Sequence, residues 1–283
     1  MLGPIIPPSV PLVLFGVTAS VSIGSLFNSG IIPGFILAMA MLVLNYIICK
    51  KKNYKKRKKA TLKEIISCTK WGFLALLLPI FIRAGIATGF VSPTEAALVA
   101  LFYGTLLGFL YKDLKIRDIP KMVLESLDTT VSVLMLVSAA SLFSWVLTFS
   151  EVPQKVTTFF MGYTDNPFIA LLTIMLLLLA LGCFMDITPG ILIMTPILMP
   201  YITSLGVDPV LFGLLMVLCL LVGLVTPPVG IVLFVLSNIS GVSVGRIAKS
   251  IMPYIISTLV IIFLLIVYIC IDATYPNIPK IYW

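Results

Sequence analysis

Two runs of sequence, LGCFMDITPGILIMTPILMP (residues 181–200) and GLVTPPVGIVLF (residues 223–234), carry proline and glycine inside apolar stretches long enough to cross a bilayer. Where the backbone leaves the helix at membrane depth, its N–H and C=O groups lose their partners. Each such group costs several kcal/mol unless protein, water or a ligand satisfies it. Secondary transporters build their sites from discontinuous helices of this kind. The two breaks therefore predict a binding site, with Asp186 as the only acid deep inside such a run.

The composition is that of an all-α polytopic membrane protein. Of the 283 residues, 60% are hydrophobic and 11% are charged, whereas a soluble domain carries about 25% charged residues. The net charge is +8, but eight of the 19 basic residues lie in the segment KKKNYKKRKK (residues 50–59) between two apolar runs. Beside membrane spans such a cluster indicates a cytoplasmic loop in contact with membrane lipid, and no nucleic-acid partner is expected.

The inventory of reactive side chains disfavours an enzyme. The chain has no histidine, and its five cysteines show no CxxC spacing, so neither a zinc site nor a Ser-His-Asp or Cys-His constellation is expected. The ATP-binding pattern GxxxxGK[ST] does not occur in the sequence. We expect no resident cofactor and no direct use of ATP.

The apolar runs predict a series of spans and two irregular regions. Residues 168–204 are broken near their middle into arms of roughly 22 to 27 Å, which predicts a re-entrant hairpin because the hydrocarbon layer is about 30 Å thick. Residues 208–236 would form a helix of about 43 Å, so the break at residues 226–228 predicts two half-helices. The other predicted elements are a short apolar segment at 8–23, spans at 31–49, 71–88, 92–111, 129–149 and 250–271, an interfacial helix at 61–70 and an amphipathic entry helix before residue 129.

Two charged residues in or near these spans are further candidates. Arg83 lies inside a predicted span, where an arginine either serves function or extends its charge to the interface. Glu95 follows Ser92 and Pro93 in the order of a helix capping box, which explains these residue types without an ion or catalytic role.

The distribution of basic residues predicts the orientation. With the 50–59 loop in the cytoplasm, 16 of the 19 basic residues lie on the cytoplasmic side. The hairpin then enters from the outside and the C-terminus is outside.

The sequence contains an inverted repeat. Residues Pro4–Gly24 resemble Leu224–Gly245, and by the predicted orientation the first copy runs outward and the second inward. Because a hairpin precedes only the second copy, we expect the first repeat to be incomplete and its hairpin to lie upstream of Met1. The matched pairs are Pro7-Pro8 with Pro227-Pro228, Val13-Leu14-Phe15 with Val232-Leu233-Phe234, and Val21-Ser22-Ile23-Gly24 with Val242-Ser243-Val244-Gly245.

These motifs resemble the large membrane subunit of tripartite ATP-independent periplasmic (TRAP) transporters, the DctM-like family of the ion-transporter superfamily. The matching pieces are GPIIPPSVPLVLFG (residues 3–16), SPTEAALVA (residues 92–100), and most of residues 181–234. Ser92 stands where the family usually has threonine. The chain resembles only the C-terminal part of that subunit.

The resemblance implies an inverted-repeat elevator fold and sodium-driven import of an organic anion, such as a dicarboxylate or a sialic acid. It also implies a periplasmic binding protein, a small TRAP membrane subunit and a bacterial inner-membrane location. Two alternatives stay open: a transporter of another superfamily branch that uses no binding protein, and an inactive truncated fragment or scaffold.

Candidate site residues follow from the breaks. Sodium favours oxygen ligands, which helix C-terminal carbonyls, Asp186 and hydroxyl groups supply, while helix N-termini favour an anion. Asp186 has an alternative role, in which its carboxylate accepts backbone N–H groups at the hairpin tip. The sodium candidates are Gly182, Asp186, Thr188, Thr226, Pro227 and Gly230, and the substrate candidates are Pro7, Pro8, Ser9, Pro189 and Pro228.

The predicted organisation has five parts along the chain. Residues 1–30 are a remnant of the first broken helix, 31–111 are mainly scaffold spans, and 112–166 form a connecting helix and span. Residues 167–245 hold the second hairpin, its broken helix and the transport site. Residues 246–283 are the last span and a periplasmic tail.

Overall fold

In the computed structural model, which describes residues 2–52, 61–164 and 166–274, every regular element is helical. This confirms the prediction of an all-α fold. Within the described residues the helices are α1 Val10–Ala19, α2 Ile23–Lys51, α3 Leu62–Ala87, α4 Pro93–Leu110, α5 Ile119–Phe149, α6 Val152–Tyr163, α7 Pro167–Phe184, α8 Ile187–Ser204, α9 Pro209–Leu224, α10 Ile231–Ser240 and α11 Val244–Thr274, with a 3-10 turn at Ile116–Asp118.

Six helical stretches are long and apolar enough to cross a membrane. They are α2, α4, α5 with its preceding turn, α7, α8 and α11. A seventh candidate is α3, whose parts Leu62–Thr69 and Gly72–Ile86 are bent by 51° relative to each other. The bend lies where the sequence predicts the change from an interfacial helix to a span. These findings confirm a polytopic membrane protein.

Several elements differ from the sequence prediction, among them α2, which begins at Ile23, eight residues before the predicted start of its span at residue 31. The predicted entry helix and span at 129–149 form the single helix α5, because no proline or glycine interrupts residues 121–149. α11 begins six residues before the predicted start of the last span. α6 was not predicted, although Pro153 at its first turn and the apolar residues Val156, Phe159 and Phe160 on a helical period signal an amphipathic helix.

The described residues fall into two compact units, those within 1–45 together with 136–283 and those within 46–135. In the second unit, the hydroxyl of Tyr103 on α4 donates to the Leu74 carbonyl on α3 at 2.7 Å. The predicted capping box is confirmed: Ser92 N–H donates to the Glu95 carboxylate at 2.7 Å, and Glu95 N–H donates to the Ser92 hydroxyl at 3.3 Å. Arg83 is exposed on α3.

The core of the first unit is built around α9. Every residue from Leu211 to Leu224 is buried, which requires neighbours on all sides of a helix that is apolar all round. Those neighbours are α1, α7, α8 and α11. The helix ends at Leu224, immediately before the break at Val225–Gly230, so the most enclosed helix of the fold leads directly to the predicted site.

The predicted repeat is visible in the helix boundaries. α1 and α10 each have ten residues, and each ends at a cap with positive φ, Ser20 at 55° and Gly241 at 67°. In each copy a long helix, α2 or α11, follows after three residues. The starts of α1 and α10 are 221 positions apart, and so are the starts of α2 and α11. This offset pairs residues 13–15 with 234–236 instead of the predicted 232–234, so that part of the sequence match is two residues out of register.

Candidate ion and substrate site at the helix breaks

The C-terminal ends of α7 and α9 meet at a crossing of two glycines. A Cβ added to Gly223 would lie 2.6 Å from both the Cα of Gly182 and the carbonyl oxygen of Leu179. A Cβ added to Gly182 would lie 2.7 Å from the carbonyl oxygen of Leu220. The obstructing atoms are backbone, so only glycine allows this approach. Gly182 was predicted as a site residue, whereas Gly223 and its role in the crossing were not.

This crossing concentrates negative partial charge. α7 ends at Phe184 and α9 at Leu224, only one or two residues beyond the crossing. The last carbonyls of each helix have no partner within the helix, and each C-terminal end carries about half a negative charge. Two such ends side by side form an environment that favours a cation.

The second break is tied to α7 by its backbone. The N–H of Gly230 donates to the carbonyl of Cys183 at 3.1 Å, and the Cys183 thiol lies 3.8 Å from the Pro227 carbonyl oxygen. Gly230 has a φ of +57°, and a Cβ there would lie 3.0 Å from the carbonyl oxygen of Thr226. The contacts of Gly230 and Pro227 therefore join two predicted site residues to the end of α7.

The polar side chain at this break is Thr226. Its hydroxyl donates to the Val222 carbonyl at 2.6 Å, and its N–H donates to the Gly223 carbonyl at 2.9 Å. Because the hydroxyl proton is engaged, the hydroxyl oxygen keeps lone pairs for a cation. The neighbouring Pro227 and Pro228 are exposed.

Asp186 lies at the tip of the hairpin and is exposed. It is the N-cap of α8: one carboxylate oxygen accepts the N–H of Ile187 at 2.7 Å, and its carbonyl accepts the N–H of Gly190 at 3.1 Å. Thr188 and Pro189 follow in the first turn of α8 and are half-buried. Within the described residues, no hydrogen bond joins Asp186 or Thr188 to Thr226, so direct contacts link only part of the predicted sodium set.

The first break is closed on itself. Ser9 is buried, its hydroxyl donates to the carbonyl of Pro4, and it accepts the N–H of Leu12 as the N-cap of α1. Pro7 is buried and Pro8 is exposed. The Pro7-Pro8 and Pro227-Pro228 peptide bonds are both cis. Of the substrate candidates at this break, Pro8 alone presents an exposed side chain.

The inventory of ligand groups fits an oxygen-based cation site better than a transition-metal site. No cluster of three His, Cys, Asp or Glu side chains occurs in the part of the chain that the structure describes. A cation at the breaks would meet backbone carbonyls, hydroxyls and one carboxylate. These are ligands that hard cations accept.

The family of the chain follows from its sequence as a whole. The model of the family described as "Tripartite ATP-independent periplasmic transporter, DctM component" matches residues 1–271. The chain belongs to this family. The resemblance noted at the breaks thus extends over nearly all of the sequence.

Several curated relatives of this DctM-family chain are TRAP permeases. The sialic acid TRAP transporter large permease protein SiaM of Vibrio cholerae is 36% identical over 269 residues, which cover 95% of this chain and 63% of SiaM. The C4-dicarboxylate TRAP transporter large permease protein DctM of Pseudomonas aeruginosa is 33% identical over 277 residues, covering 98% of this chain and 65% of that protein.

A third relative has a different named substrate. The isethionate TRAP transporter permease protein DctMQ of Oleidesulfovibrio alaskensis is 37% identical over 286 residues, which cover 99% of this chain and 44% of the relative. The chain therefore spans between 44% and 65% of the length of these three relatives.

Proposed function

We propose that this chain is the permease subunit of a sodium-driven secondary transporter that imports an organic anion across a bacterial inner membrane. A periplasmic binding protein delivers the anion, and a small membrane subunit completes the transporter. Membership of the DctM family supports this proposal, as do the apolar spans and the broken helix. The observation on which the proposal chiefly rests is the close approach of the C-terminal ends of α7 and α9 at Gly182 and Gly223.

Sodium is the proposed coupling ion at this meeting point. The two helix ends contribute carbonyl dipoles, Thr226 contributes a hydroxyl oxygen, and Asp186 contributes a carboxylate next to the end of α7. Gly182 and Gly230 set the backbone geometry, and the Pro227 carbonyl lies beside Cys183. Thr188 supplies a second hydroxyl from the first turn of α8.

The N-terminus of α10 is the proposed anchor for the anionic substrate. Its N-cap is Gly230, which has no side chain to accept the N–H groups of the first turn. By contrast, α1 and α8 are capped by the side chains of Ser9 and Asp186. An uncapped helix N-terminus attracts an anion through its free N–H groups and the helix dipole. Of the predicted substrate residues, Pro228 lies just before the N-terminus of α10. Pro8 lies just before the N-terminus of α1, and Pro189 lies in the first turn of α8.

The cargo class follows from the relatives. Their names specify sialic acid, C4-dicarboxylate and isethionate, which are all organic acids ionised at neutral pH. We infer an organic acid anion for this chain as well. We further propose that the helices around α9 move together as the transport body of an elevator, since α9 is enclosed by α1, α7, α8 and α11.

Uptake in the cells that make this chain tests the proposal. Cells with and without its gene are supplied with labelled succinate or sialic acid in sodium buffer and in potassium buffer. We expect loss of the gene to abolish sodium-dependent uptake of at least one probe, and purified chain to be stabilised by sodium but not by potassium. Uptake that does not depend on the gene, together with an unstabilised chain, would overturn the proposal.

A further inference from the structure

A groove of about 240 Å³ runs between α2 and α11. It contains none of the predicted ion and substrate candidates, so it is a feature distinct from the helix breaks. The residues that define it are Ser29, Ile32 and Ile36 of α2 and Ile261, Leu264 and Tyr268 of α11.

The helices α2 and α11 run antiparallel on either side of the groove. The hydroxyl of Tyr254 on α11 donates to the side-chain oxygen of Asn45 on α2 at 3.3 Å. From this link, Ile36 lies nine residues back along α2 and Ile261 lies seven residues forward along α11, and both line the groove. Ile36 and Ile261 therefore line the end of the groove that is nearer the link.

The groove lies in one leaflet of the membrane. The basic residues Lys50 and Lys51 end α2 and mark one interface. At 1.5 Å per residue, Ile36 lies about 21 Å from Lys50 and Ser29 lies about 31 Å from it. Because the hydrocarbon layer is about 30 Å thick, the groove occupies the leaflet remote from Lys50. Its other end, at Ser29 and Tyr268, lies at the opposite interface, where tyrosine side chains are common.

The walls of the groove are apolar apart from Tyr268 at the interface. The hydroxyl of Ser29 is engaged within its own helix, where it donates to the carbonyl of Leu26 at 2.9 Å. Ile32 and Leu264 are 43% and 58% exposed, so apolar side chains face the occupant. Water does not fill an apolar cavity, because it would find no hydrogen-bond partners there. The groove therefore fits an apolar occupant.

The size of the groove favours a hydrocarbon chain over a protein helix. An apolar cavity of about 150 Å³ binds one benzene molecule, so a groove of 240 Å³ holds about ten carbon atoms. One turn of an α-helix, about 10 Å across and 5.4 Å long, fills about 420 Å³ and does not fit inside. From Ile261 to Tyr268 the groove is about 10 Å long, which suits a narrow and extended occupant.

We propose that this groove, the acyl groove, binds one acyl chain of a phospholipid from the leaflet remote from Lys50. The chain enters between Ser29 and Tyr268, so that the headgroup stays at the interface. The middle of the chain reaches Ile36 and Ile261. Bound in this way, the lipid fills the gap between α2 and α11 and is independent of the coupling ion and the cargo.

Photo-labelling in vesicles tests the acyl groove. The purified full chain is reconstituted into phosphatidylethanolamine vesicles that contain one of two labelled phosphatidylethanolamines. In one the photoreactive diazirine is near the glycerol, and in the other it is midway along an acyl chain. Illumination joins the lipid to the nearest residues, which mass spectrometry locates.

The two probes should label opposite ends of the acyl groove in the unmodified chain. We expect the probe near the glycerol to label the segments around Ser29 and Tyr268, and the midway probe to label those around Ile36 and Ile261. The reference is Leu176 on α7, which is 58% exposed and lies outside the groove. Labelling of the groove no stronger than at Leu176, or the reverse order of the two probes, would overturn the proposal.

A variant that fills the acyl groove gives a second test. Leu264→Trp places a larger side chain in the groove and should remove most of its labelling by both probes. The matched control is Ile256→Trp, because Ile256 is 56% exposed on α11 and does not line the groove. Equal groove labelling in the two variants would overturn the proposal. Sodium stabilisation and uptake are not affected by that outcome, so a failure here is distinguishable from a failure of the proposed function.

Discussion

At the first proline break, a buried serine side chain closes the loop, while at the second the backbone of a neighbouring helix does so. Ser9 bonds to Pro4 and Leu12 within its own segment. Gly230 instead donates its N–H to Cys183 on α7. The two breaks share a Pro-Pro pair and a ten-residue helix, yet the Ser9 hydrogen bonds of the first stay within its own segment, whereas the second bonds to the hairpin.

From this difference we propose that the second break, and not the first, exchanges a ligand. The first break uses its hydroxyl for capping and its loop packs on α2, where a Cβ on Gly30 would lie 2.7 Å from the Ile5 carbonyl oxygen. The second break leaves the N-terminus of α10 without a side-chain cap and brings two helix C-termini together. Under this proposal the repeated motif has a structural role in the first copy and forms a binding site in the second.

The largest expected effect comes from filling the glycine crossing. Gly223→Ala places a methyl group 2.6 Å from backbone atoms of α7 that cannot move independently. We expect the free energy of unfolding to fall by about 3 kcal/mol or more. A clash with backbone costs more than a clash with a side chain, because a side chain can change rotamer and the backbone cannot. Thermal unfolding of the purified protein in detergent measures it.

Gly104→Ala is the matched control, because no atom lies within 4 Å of an added Cβ at this mid-helix position. Alanine favours the helix by up to about 1 kcal/mol, so this variant should unfold at the same or a higher temperature. Equal unfolding temperatures for the two variants would contradict the close approach of α7 and α9.

A smaller effect is expected at the cap of the second break. Gly230→Ala forces a side chain into the left-handed region, at about 1–2 kcal/mol, and brings a Cβ to 3.0 Å from the Thr226 carbonyl oxygen. We expect lower thermal stability and weaker sodium stabilisation together, because the same loop carries Thr226. If sodium stabilises this variant as much as the unmodified chain, the loop that carries Thr226 does not take part in sodium binding.

Ser9→Ala should lower thermal stability without changing the stabilisation by sodium. Loss of an N-cap side chain costs about 1 kcal/mol, and the first break has no proposed role in sodium binding. Its unfolding temperature should fall modestly while the sodium-induced shift stays equal to that of the unmodified chain. A reduced sodium shift would show that the two breaks act as one site.

The smallest effect is expected at the hydroxyl of the second break. Thr226→Val keeps the shape and removes one oxygen, which should weaken sodium affinity by about 1 kcal/mol or about fivefold. Thr226→Ser keeps the oxygen and should bind sodium as before. Sodium titrations followed by thermal unfolding compare the two variants directly.

Local sequence patterns predicted much of the fold. Ser92, Pro93 and Glu95 predicted a helix start, and the apolar runs predicted the spans because their length alone matches the bilayer. The prolines at 227 and 228 predicted the break after α9. The structural effect of these residues can be predicted from sequence, because capping residues and prolines affect the local backbone and apolar runs respond to the surrounding lipid.

The sequence did not predict contacts between helices that lie far apart in the chain. Nothing in the sequence around Gly223 distinguishes a glycine in contact with Gly182 from an ordinary glycine in an apolar helix. The hydrogen bond between Gly230 and Cys183 joins positions 47 residues apart through the backbone, which carries no sequence signal. The predicted pairing of residues 13–15 with 232–234 differs by two residues from the offset between the helix starts. The reason is related, since apolar residues substitute for one another in a helix that is apolar all round.

The central claim is that sodium binds where the ends of α7 and α9 meet, beside Asp186. Asp186→Asn tests it most directly, because asparagine caps a helix as well as aspartate and removes only the charge. Asp186→Ala is the comparison that removes the cap as well. Each variant is unfolded thermally in sodium chloride and in potassium chloride at equal ionic strength.

For the unmodified chain, sodium at a hundred times its Kd should add about 2.7 kcal/mol of stability over potassium. Asp186→Asn should unfold like the unmodified chain in potassium and lose most of the sodium-induced shift. A full sodium shift in Asp186→Asn, with stability lost only in Asp186→Ala, would show that Asp186 is a helix cap alone and would contradict the account.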